Sequence, residues 1–326
     1  MAVVSDMYNK NRVDLSEAIP LKTPFIIQLE PSGFCNLKCV FCTVNDPIAE
    51  PFLKKDTMTF ETFKKFTDDC KLFPEKIKIL RIIGNGEPLM NKQIVDFVSY
   101  AKQSGTFEKI EITTNATLLS EKLSLDLVNA GLDILKISLE AIDDETFKEV
   151  TKVAVETEKL KERIKFFYQN RGNSIVYIKC TDIALKTEEK RQQFLDEYGE
   201  ISDYIYIENV ANIWYDFGEK SEDIKNRYGR EGGGDVCVQP FKLLAVCADG
   251  TVLPCCADWK RLIPLGNISD KPLTEIWNGE NLRNLRLNLL EENAGYPCSE
   301  CSFQKVSQND NITEKRAIIA ERLKER

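Results

Sequence analysis

The sequence predicts an α/β fold in which six parallel strands form a sheet that is either open or curved into a partial barrel. Between residues 25 and 208, short runs rich in Ile and Val alternate with segments of helical periodicity. These runs are mostly too apolar for edge strands, as expected of parallel strands buried on both faces. After about residue 220 the alternation ends and cysteines become frequent, which predicts a separate small module. In such folds, ligands bind at the carboxyl ends of the strands.

The predicted strands and helices follow one another along the chain. Before the second strand, Phe60, Phe63, Phe66 and Cys70 share one helical face, and a later helix begins at the capping residue Ser120. The predicted strands span residues 25–29, 76–83, 109–113, 134–140, 174–180 and 204–208.

The last third of the chain carries different signals. Residues 243–256 indicate a β-hairpin in which Asp249 and Gly250 form a two-residue turn. The final residues show a charged helical pattern. We therefore predict four regions, which are an N-terminal segment (1–22), a parallel α/β domain (23–220), a cysteine-rich module (221–305) and a C-terminal helical tail (306–326).

The charge and hydropathy of the chain exclude several classes of partner. Lys and Arg total 44 and Asp and Glu total 52, which gives a net charge of −8. An acidic chain without a long basic run is a poor nucleic-acid binder, because phosphate contacts dominate that affinity. No apolar run approaches the roughly 18 residues of a membrane span, and the first residues lack the apolar core of a signal peptide. We expect a cytoplasmic protein that binds neither nucleic acid nor membrane.

The eleven cysteines are the most informative part of the composition. In a reducing compartment they are expected to be metal ligands or buried apolar residues rather than disulfides. Cys35, Cys39 and Cys42 follow the first predicted strand, and the chain has no histidine that could complete their site. Thiolates bind iron–sulfur clusters or zinc, and structural zinc takes four ligands. The loop therefore holds either a four-iron cluster with one open iron or a zinc ion whose fourth ligand is a distant cysteine.

The C-x3-C-x2-C spacing, with the aromatic Phe41 before the last cysteine, resembles the signature of radical S-adenosylmethionine (SAM) enzymes. The resemblance covers about residues 23–215 and implies a partial (β/α)6 barrel. It also implies that Cys35, Cys39 and Cys42 hold a [4Fe–4S] cluster whose open iron binds SAM. Reductive cleavage of SAM in this family gives methionine and a 5′-deoxyadenosyl radical.

Three further stretches resemble SAM-binding segments of the family, each at the end of a predicted strand. Residues 84–88 (GNGEP) resemble a G-G-E-P segment, with Asn85 in place of a glycine because Asn tolerates left-handed backbone. Residues 113–117 (TTNAT) resemble T-N-G-T with Ala116 in place of glycine, and residues 137–141 (ISLEA) resemble a serine stretch. The cofactor-binding residues that the resemblance implies are Phe41, Gly84, Asn85, Gly86, Glu87, Pro88, Asn115 and Ser138.

The second group of cysteines resembles the SPASM/twitch module, which holds auxiliary [4Fe–4S] clusters in radical SAM enzymes. A C-x12-G-x4-C pattern ends at Cys255, and a C-x2-C pair follows it. No cysteine follows Cys301, so the shorter twitch form with one auxiliary [4Fe–4S] cluster fits better than the complete pattern. The implied ligands are Cys237, Cys255, Cys298 and Cys301, with Cys256 as the rival of Cys255. A structural zinc ion on the same four cysteines is the alternative.

The resemblance implies a radical SAM oxidoreductase. An auxiliary cluster that accepts an electron favours oxidation of a small molecule, such as a sugar, an aminocyclitol or a nucleotide sugar. A peptide- or protein-modifying enzyme is the alternative, but the 34 residues before Cys35 leave no room for the leader-binding domain that many of those enzymes carry. A reductase, or a flavodoxin- or ferredoxin-type protein, would supply the electron. An iron–sulfur electron carrier or structural cluster protein is the non-enzymatic alternative.

Oxidation of an alcohol also requires a group that accepts the hydroxyl proton. Because the chain lacks histidine, we expect this group among carboxylate, Lys, Arg, Tyr or Cys side chains near strand ends. The catalytic candidates are Lys179, Glu208 and Tyr215.

Overall fold

The computed structural model describes residues 2–4, 14–45, 50–210, 235–301, 303 and 311–325. Within these ranges, ten strands form one sheet. In chain order the strands are β1 (Val3–Val4), β2 (Ile26–Leu29), β3 (Ile77–Ile82), β4 (Phe107–Thr114), β5 (Ile134–Leu139), β6 (Ile175–Thr181), β7 (Tyr204–Glu208), β8 (Leu243–Val246), β9 (Thr251–Leu253) and β10 (Gly266–Asn267). None of the helices in this part of the chain has both the length and the apolar character needed to cross a bilayer.

The six central strands, β2 to β7, lie side by side in chain order and are all parallel. They coincide with the six predicted strands and confirm the α/β class. The sheet does not close on itself, because the other side of β2 pairs with β8 and the other side of β7 pairs with β1. The fold is a partial (β/α)6 barrel whose sheet is extended at both edges.

Helices connect the strands and pack against one face of the sheet. The helix α2 buries Phe63, Phe66 and Cys70 as predicted, and Ser120 caps α4 by accepting a hydrogen bond from the N–H of Leu123. The helices are α1 (Leu15–Ala18), α2 (Phe60–Cys70), α3 (Ile94–Ser104), α4 (Glu121–Asn129), α5 (Asp144–Thr151), α6 (Thr157–Asn170), α7 (Glu188–Gly199), α8 (Gln239–Lys242), α9 (Leu273–Trp277), α10 (Glu280–Leu290) and α11 (Arg316–Lys324), with short 3-10 helices at Thr43–Asn45, Glu50–Phe52 and Pro88–Met90.

The two faces of the sheet differ in chemistry, because successive side chains of a strand point to opposite faces. The face against the helices is apolar and fully buried at Ile27, Leu80, Ile112, Ile137 and Ile178. The neighbouring positions point the other way and are polar, and we call this side of the sheet the inner face. Its polar residues on β2 to β7 include Gln28, Arg81, Glu111, Lys136, Tyr177 and Tyr204.

The hairpin of β8 and β9 is confirmed, but its turn differs from the prediction. The N–H of Gly250 donates to the carbonyl of Cys247, so Ala248 and Asp249 are the central residues of the turn. Gly250 follows them in a left-handed conformation, with φ 82°. The predicted two-residue turn would need positive φ at both Asp249 and Gly250. The observed loop has three residues, 248–250, instead of two, so Gly250 takes a positive φ and Asp249 does not.

The C-terminal helix α11 packs against the rest of the protein. Ile319 and Leu323 are buried, and the guanidinium of Arg322 donates to the carbonyls of Ser16 (3.2 Å) and Ile19 (3.3 Å). The helix α11 therefore packs against the segment that contains α1. The predicted boundary at residues 220–221 falls outside the described residues, so the division into four regions stays a prediction.

Candidate active site

The loop after β2 carries the three cysteines of residues 35–42 and is tied to the end of β4. Asn36 donates from Nδ2 to the hydroxyl of Thr117 (2.7 Å) and accepts on Oδ1 from Nδ2 of Asn115 (3.1 Å). Asn115 Oδ1 in turn accepts from the N–H and the hydroxyl of Thr117. The side chain of Asn115 thus organises the loops, and its predicted contact with SAM stays a prediction. Asn36 was not predicted as a site residue, because a single Asn in a loop belongs to no recognisable sequence motif.

The stretch of residues 84–88 lies directly against the start of the cysteine loop. A Cβ atom at Gly86 would lie 2.2 Å from the carbonyl oxygen of Ser32 and 2.4 Å from that of Phe34. Both obstacles are backbone atoms, so only glycine permits this approach. Pro88 then begins a 3-10 helix, where its missing N–H is no loss.

Gly84 and Asn85 rest on the side chain of Glu30, the residue that follows β2. A Cβ atom at Gly84 would lie 2.4 Å from Cγ of Glu30. The N–H of Asn85 donates to Oε2 of Glu30 at 3.0 Å. Asn85 does not have a positive φ, so tolerance of left-handed backbone is not the reason that Asn replaces glycine here. Gly84 and Gly86, the two positions of residues 84–88 that pack closely against other atoms, are the two that remain glycine.

Glu87 is buried and joins three segments. Its N–H donates to the carbonyl of Phe34 (2.8 Å). Its carboxylate accepts from the hydroxyl of Thr114 (2.6 Å) and from the N–H groups of Leu89 (3.0 Å) and Asn115 (2.9 Å). Burial raises the pKa of Glu87, although these three hydrogen bonds oppose the rise. The carboxylate therefore holds the stretches predicted to bind SAM together, which leaves the backbone of residues 84–88 for the predicted cofactor contact.

Ala116 takes the left-handed conformation that the glycine of the related T-N-G-T segment suggests, with φ 60°. Its side chain is fully buried and its N–H donates to the hydroxyl of Thr114 (3.0 Å). An alanine in this region of φ costs about 1–2 kcal/mol. The loop therefore keeps a left-handed backbone at residue 116, although alanine replaces the glycine of the related segment.

Phe41 and Ser138 are the other two predicted SAM contacts. Phe41 is partly buried against the core beside the cysteines. Ser138 is on the inner face of β5, in register with Lys179 on β6. Their assignment to SAM, like that of the residues of 84–88, stays a prediction.

Glu140 follows β5 directly and was not predicted as a site residue. Its side chain is 7% exposed, and its Oε2 has no hydrogen-bond partner among the described residues. Burial raises the pKa of Glu140 to about 7, opposed by the positive charge of Lys179. The carboxyl also interacts electrostatically with the thiols of Cys35, Cys39 and Cys42, so it lies near the cysteine loop. A carboxylate at the end of an apolar strand was the available signal.

Lys179 and Glu208 form an ion pair between β6 and the end of β7. Burial lowers the pKa of Lys179, but the carboxylate of Glu208 outweighs that effect and raises it. Lys179 is therefore a stable cation, suited to binding rather than to accepting a proton. Tyr215 lies outside the described residues. The catalytic roles of all three stay predictions.

A second ion network crosses the inner face. Glu111 is almost fully buried, and its carboxylate accepts from Nε of Arg81 (2.6 Å) and pairs with Nζ of Lys136 (3.0 Å). Burial raises the pKa of Glu111, but these two cations outweigh that effect and lower it. The rings of Tyr177 and Tyr204 stack beside the network, with centroids 4.6 Å apart. The inner face thus offers charges and flat rings to a bound molecule.

The four predicted ligands of the module come together in space. The thiol of Cys255 interacts electrostatically with those of Cys237 and Cys298, and Cys237 interacts with Cys298 and Cys301. The residues come from three separate segments of the chain, before β8, after β9 and after α10. Their convergence supports the predicted ligand set.

Cys256 points toward the inner face. Its thiol forms a hydrogen bond with the side chain of Gln28 on β2 and interacts with the guanidinium of Arg81 on β3. It also interacts with Cys301. The choice of Cys255 over Cys256 as the ligand stays a prediction. The contacts of Cys256 place the second cysteine group next to the polar inner face.

The two cysteine groups fit iron–sulfur clusters. Burial raises the pKa of the thiols of all seven predicted ligands, to about 11 for Cys42 and about 12 for Cys237. A cationic centre would compensate this burial by stabilising the thiolates. Among the described residues, no three Cys, Asp or Glu side chains are arranged to hold one metal ion.

Comparison with protein families agrees with this arrangement. The model of the radical SAM superfamily matches residues 29–197, more than half of the chain. The model of an iron–sulfur cluster-binding domain, SPASM, matches residues 237–302. The two matches cover the two cysteine groups.

The tungsten-containing aldehyde ferredoxin oxidoreductase cofactor-modifying protein of Pyrococcus furiosus is 24% identical over 322 residues, covering 85% of this chain and 87% of that protein. The GTP 3′,8-cyclase of Limosilactobacillus fermentum is 35% identical over 128 residues, covering 39% of this chain and 36% of the cyclase. The chain thus spans only about a third of the cyclase.

Solved structures share the fold. BtrN in complex with AdoMet and 2-DOIA superposes with a TM-score of 0.54 at 18% identity, covering 88% of this chain and 97% of BtrN. Streptococcus suis SuiB bound to the precursor peptide SuiA gives a TM-score of 0.65 at 17% identity, covering 92% of this chain and 75% of SuiB. The two domains are those that bind SAM with a [4Fe–4S] cluster and auxiliary iron–sulfur clusters. The chain belongs to the radical SAM superfamily, as a radical SAM enzyme with a C-terminal SPASM module.

Proposed function

We propose that the enzyme oxidises a small polar molecule with the 5′-deoxyadenosyl radical that it generates from SAM. When bound, the SAM-binding cluster supplies the electron for cleavage of SAM, and one auxiliary cluster accepts the electron that leaves the substrate. An alcohol becomes a carbonyl when its carbon gives a hydrogen atom to the radical, its hydroxyl gives a proton to a base and one electron leaves. A flavodoxin- or ferredoxin-type protein would deliver the first electron.

The polar inner face is the observation that carries this proposal. Arg81, Glu111 and Lys136 present alternating charges across β3, β4 and β5. The pair of Lys179 and Glu208 continues the row on β6 and β7. Such a surface binds hydroxyl, amino or phosphate groups of a small molecule, because each of these groups finds an oppositely polarised partner. The stacked rings of the inner face can pack on a sugar ring or a base.

Glu140 is the residue that we propose as the proton acceptor. It is the carboxylate of this region with an oxygen that lacks a partner among the described residues, whereas Glu208 is paired with Lys179. A base must lie within hydrogen-bond reach of the hydroxyl that it deprotonates. The position of Glu140 beside the cysteine loop meets that need, because the radical is formed there. Glu208 and Tyr215 are the other candidates.

The full-length relative supports a small-molecule substrate. Its name describes a protein that modifies the cofactor of another enzyme, and its match spans most of both chains. The cyclases are named for a reaction of GTP, a small polar molecule, although they match over a shorter part. A peptide substrate is the alternative that the experiment below tests.

The proposal is tested by substrate-dependent formation of 5′-deoxyadenosine. Anaerobic, cluster-loaded enzyme is reduced in the presence of SAM and of single compounds from a panel of sugar phosphates, aminocyclitols, nucleotide sugars and nucleotides. We expect one chemical class to raise 5′-deoxyadenosine formation and to yield a product two mass units lighter. With a substrate deuterated at the reacting carbon, the deuterium appears in 5′-deoxyadenosine.

The matched negative control is the variant in which Cys35, Cys39 and Cys42 are replaced by Ala. It is expected to form no 5′-deoxyadenosine with any compound. If a library of short peptides raises the yield and no small molecule does, the enzyme is a peptide modifier and the small-molecule proposal is wrong.

A further inference from the structure

Glu30 lies where the SAM-binding stretch meets the cysteine-rich module. It follows β2 and its side chain is 6% exposed. One carboxylate oxygen, Oε2, accepts from the N–H of Asn85 (3.0 Å). The other, Oε1, accepts from Nη2 of Arg261 (2.9 Å) and, at 3.4 Å, from the N–H of Ala248. One buried carboxylate thus connects residues 84–88 with two segments of the module.

The contact between Glu30 and the SAM-binding stretch is close. Besides the hydrogen bond to Asn85, Gly84 packs on the Cα, Cβ and Cγ atoms of Glu30, each within 3.0 Å of where a Cβ of Gly84 would lie. A shift of the Glu30 side chain therefore moves the backbone of this stretch. The predicted SAM contacts of residues 84–88 depend on that backbone.

Arg261, a residue of the cysteine-rich module, holds the side chain of Glu30 in place. Its side chain is 7% exposed, and its second partner is Asp249 in the hairpin turn (3.2 Å). Arg261 has φ 57°, and its N–H donates to the carbonyl of Asp258 (3.0 Å). The carboxylate of Asp258 accepts from the N–H groups of Leu262 and Ile263. The position of Arg261 therefore depends on the fold of the turn at 258–263.

The turn at 258–263 begins two residues after Cys256. A cluster bound through Cys255 would therefore order the chain segment that leads into this turn. Without Arg261, the buried charge of Glu30 would lose its only cationic partner within the described residues. An unpaired buried carboxylate moves toward water or takes a proton. Either change weakens its hold on Asn85.

We infer that Arg261 is a positioning residue for SAM binding. It acts through Glu30 on the backbone of residues 84–88, so that the ordered cysteine-rich module raises the affinity of the enzyme for SAM. SAM binding is measured without substrate, and the test is therefore independent of the substrate proposed above.

The test is equilibrium dialysis of SAM against anaerobic, cluster-loaded, unreduced enzyme. For Arg261→Gln we expect SAM affinity to fall about tenfold, as is typical of a coupling between two sites. The iron content per chain and the rate of 5′-deoxyadenosine formation at saturating SAM stay near those of the wild type. Glu30→Gln is expected to weaken binding similarly, and the double variant to be no weaker than either single variant.

Lys54→Gln is the matched control. Lys54 pairs with the same oxygen of Asp249 as Arg261, Oδ2, but it is 58% exposed. Its loss leaves the pair of Arg261 and Glu30 in place, so SAM affinity is expected to stay unchanged. If Arg261→Gln fails to fold, Arg261→Lys decides, because Lys lacks the fork that binds two carboxylates at once. Weaker SAM binding by that variant at wild-type iron content supports the inference. Wild-type SAM affinity in a folded, iron-loaded Arg261 variant overturns it.

Discussion

Ala116 and Glu140 are single residues that are held in unfavourable states beside the cysteine loop. Ala116 has a left-handed backbone, and Glu140 buries an oxygen without a partner among the described residues. The positive φ of Ala116 was not predicted, although the glycine of the related segment was a signal for it. Glu140 follows an apolar strand, but the lack of a partner for its carboxyl oxygen appears only in the folded chain. Energetically costly residues of this kind concentrate at functional sites.

The strain at Ala116 predicts that Ala116→Gly costs little or no stability. Glycine removes the left-handed penalty of about 1–2 kcal/mol, which offsets its greater loss of backbone entropy and the loss of a buried methyl group. We therefore expect the free energy of unfolding to stay within about 1 kcal/mol of the wild type. Anaerobic denaturant titration of the cluster-loaded protein measures it. The control Ala141→Gly, at a fully buried alanine without positive φ, is expected to lower the same quantity. Equal effects of the two variants would contradict the assignment of strain.

The Glu140→Gln variant tests the residue that we propose as the proton acceptor. Because the charge of Glu140 is buried, its removal is expected to leave the free energy of unfolding unchanged or to raise it. Product formation is expected to fall about 100-fold or more, which is the usual contribution of a general base. Glu145→Gln, at an exposed carboxylate of α5, is the control and is expected to match the wild type in both measurements. Normal turnover by Glu140→Gln would exclude it as the base.

Strands and helices were the part of the structure that the sequence pattern predicted well. The six parallel strands and the caps of the helices follow from local periodicity and from single residues such as Ser120. The hairpin turn was misassigned by one residue, because Asp–Gly fits both a two-residue turn and the end of a longer one. The pairing of β8 with β2 was not predicted, since local patterns carry no information on which distant edge a strand joins.

The close approach of residues 84–88 to the cysteine loop predicts the effect of Gly86→Ala. The added methyl group would meet backbone oxygens of Ser32 and Phe34, so the cysteine loop must move. We expect loss of about four irons per chain and of SAM cleavage, while the auxiliary site stays loaded. Iron analysis and electron paramagnetic resonance measure this. Gly199→Ala is the control, because Gly199 has no positive φ and an added Cβ would enter open space. Full iron content in Gly86→Ala would show instead that the cysteine loop adapts to the methyl group.

At the scale of the whole molecule, the two cysteine groups lie at one side of a single sheet with the polar inner face beside them. The sequence predicted both groups from their spacing. The connections between them, through Glu30, Arg261 and Cys256, appear only when the chain is folded, because the residues that they join are more than 170 positions apart in the sequence.

This arrangement predicts different consequences for the two groups. With Cys35, Cys39 and Cys42 replaced by Ala, no SAM cleavage is expected and iron falls from about eight to about four per chain. With Cys298 and Cys301 replaced by Ala, iron falls similarly, but reduced enzyme still forms 5′-deoxyadenosine without completing the product. Circular dichroism checks that the module remains folded.

Cys256→Ser is the control for these variants, because it changes a thiol next to the second group that we do not assign as a ligand. It is expected to keep about eight irons per chain. Loss of the auxiliary iron in Cys256→Ser, with retention in Cys255→Ser, would reverse the assignment of the ligand. Near wild-type product formation by a folded Cys298 and Cys301 variant would exclude an electron-accepting role.

The pairing of β2 with β8 also sets an order of events during synthesis. β2 leaves the ribosome roughly 200 residues before β8, and at about 5–20 residues per second this partner follows on the order of 10–40 s later. Until then, one edge of β2 exposes unpaired backbone groups beside Ile27 and Leu29, which are fully buried in the finished protein. Nascent chains on one messenger are therefore open to strand exchange with their neighbours throughout that interval. Slow initiation, which spaces the ribosomes apart, is expected to raise the yield of folded enzyme more than slow elongation.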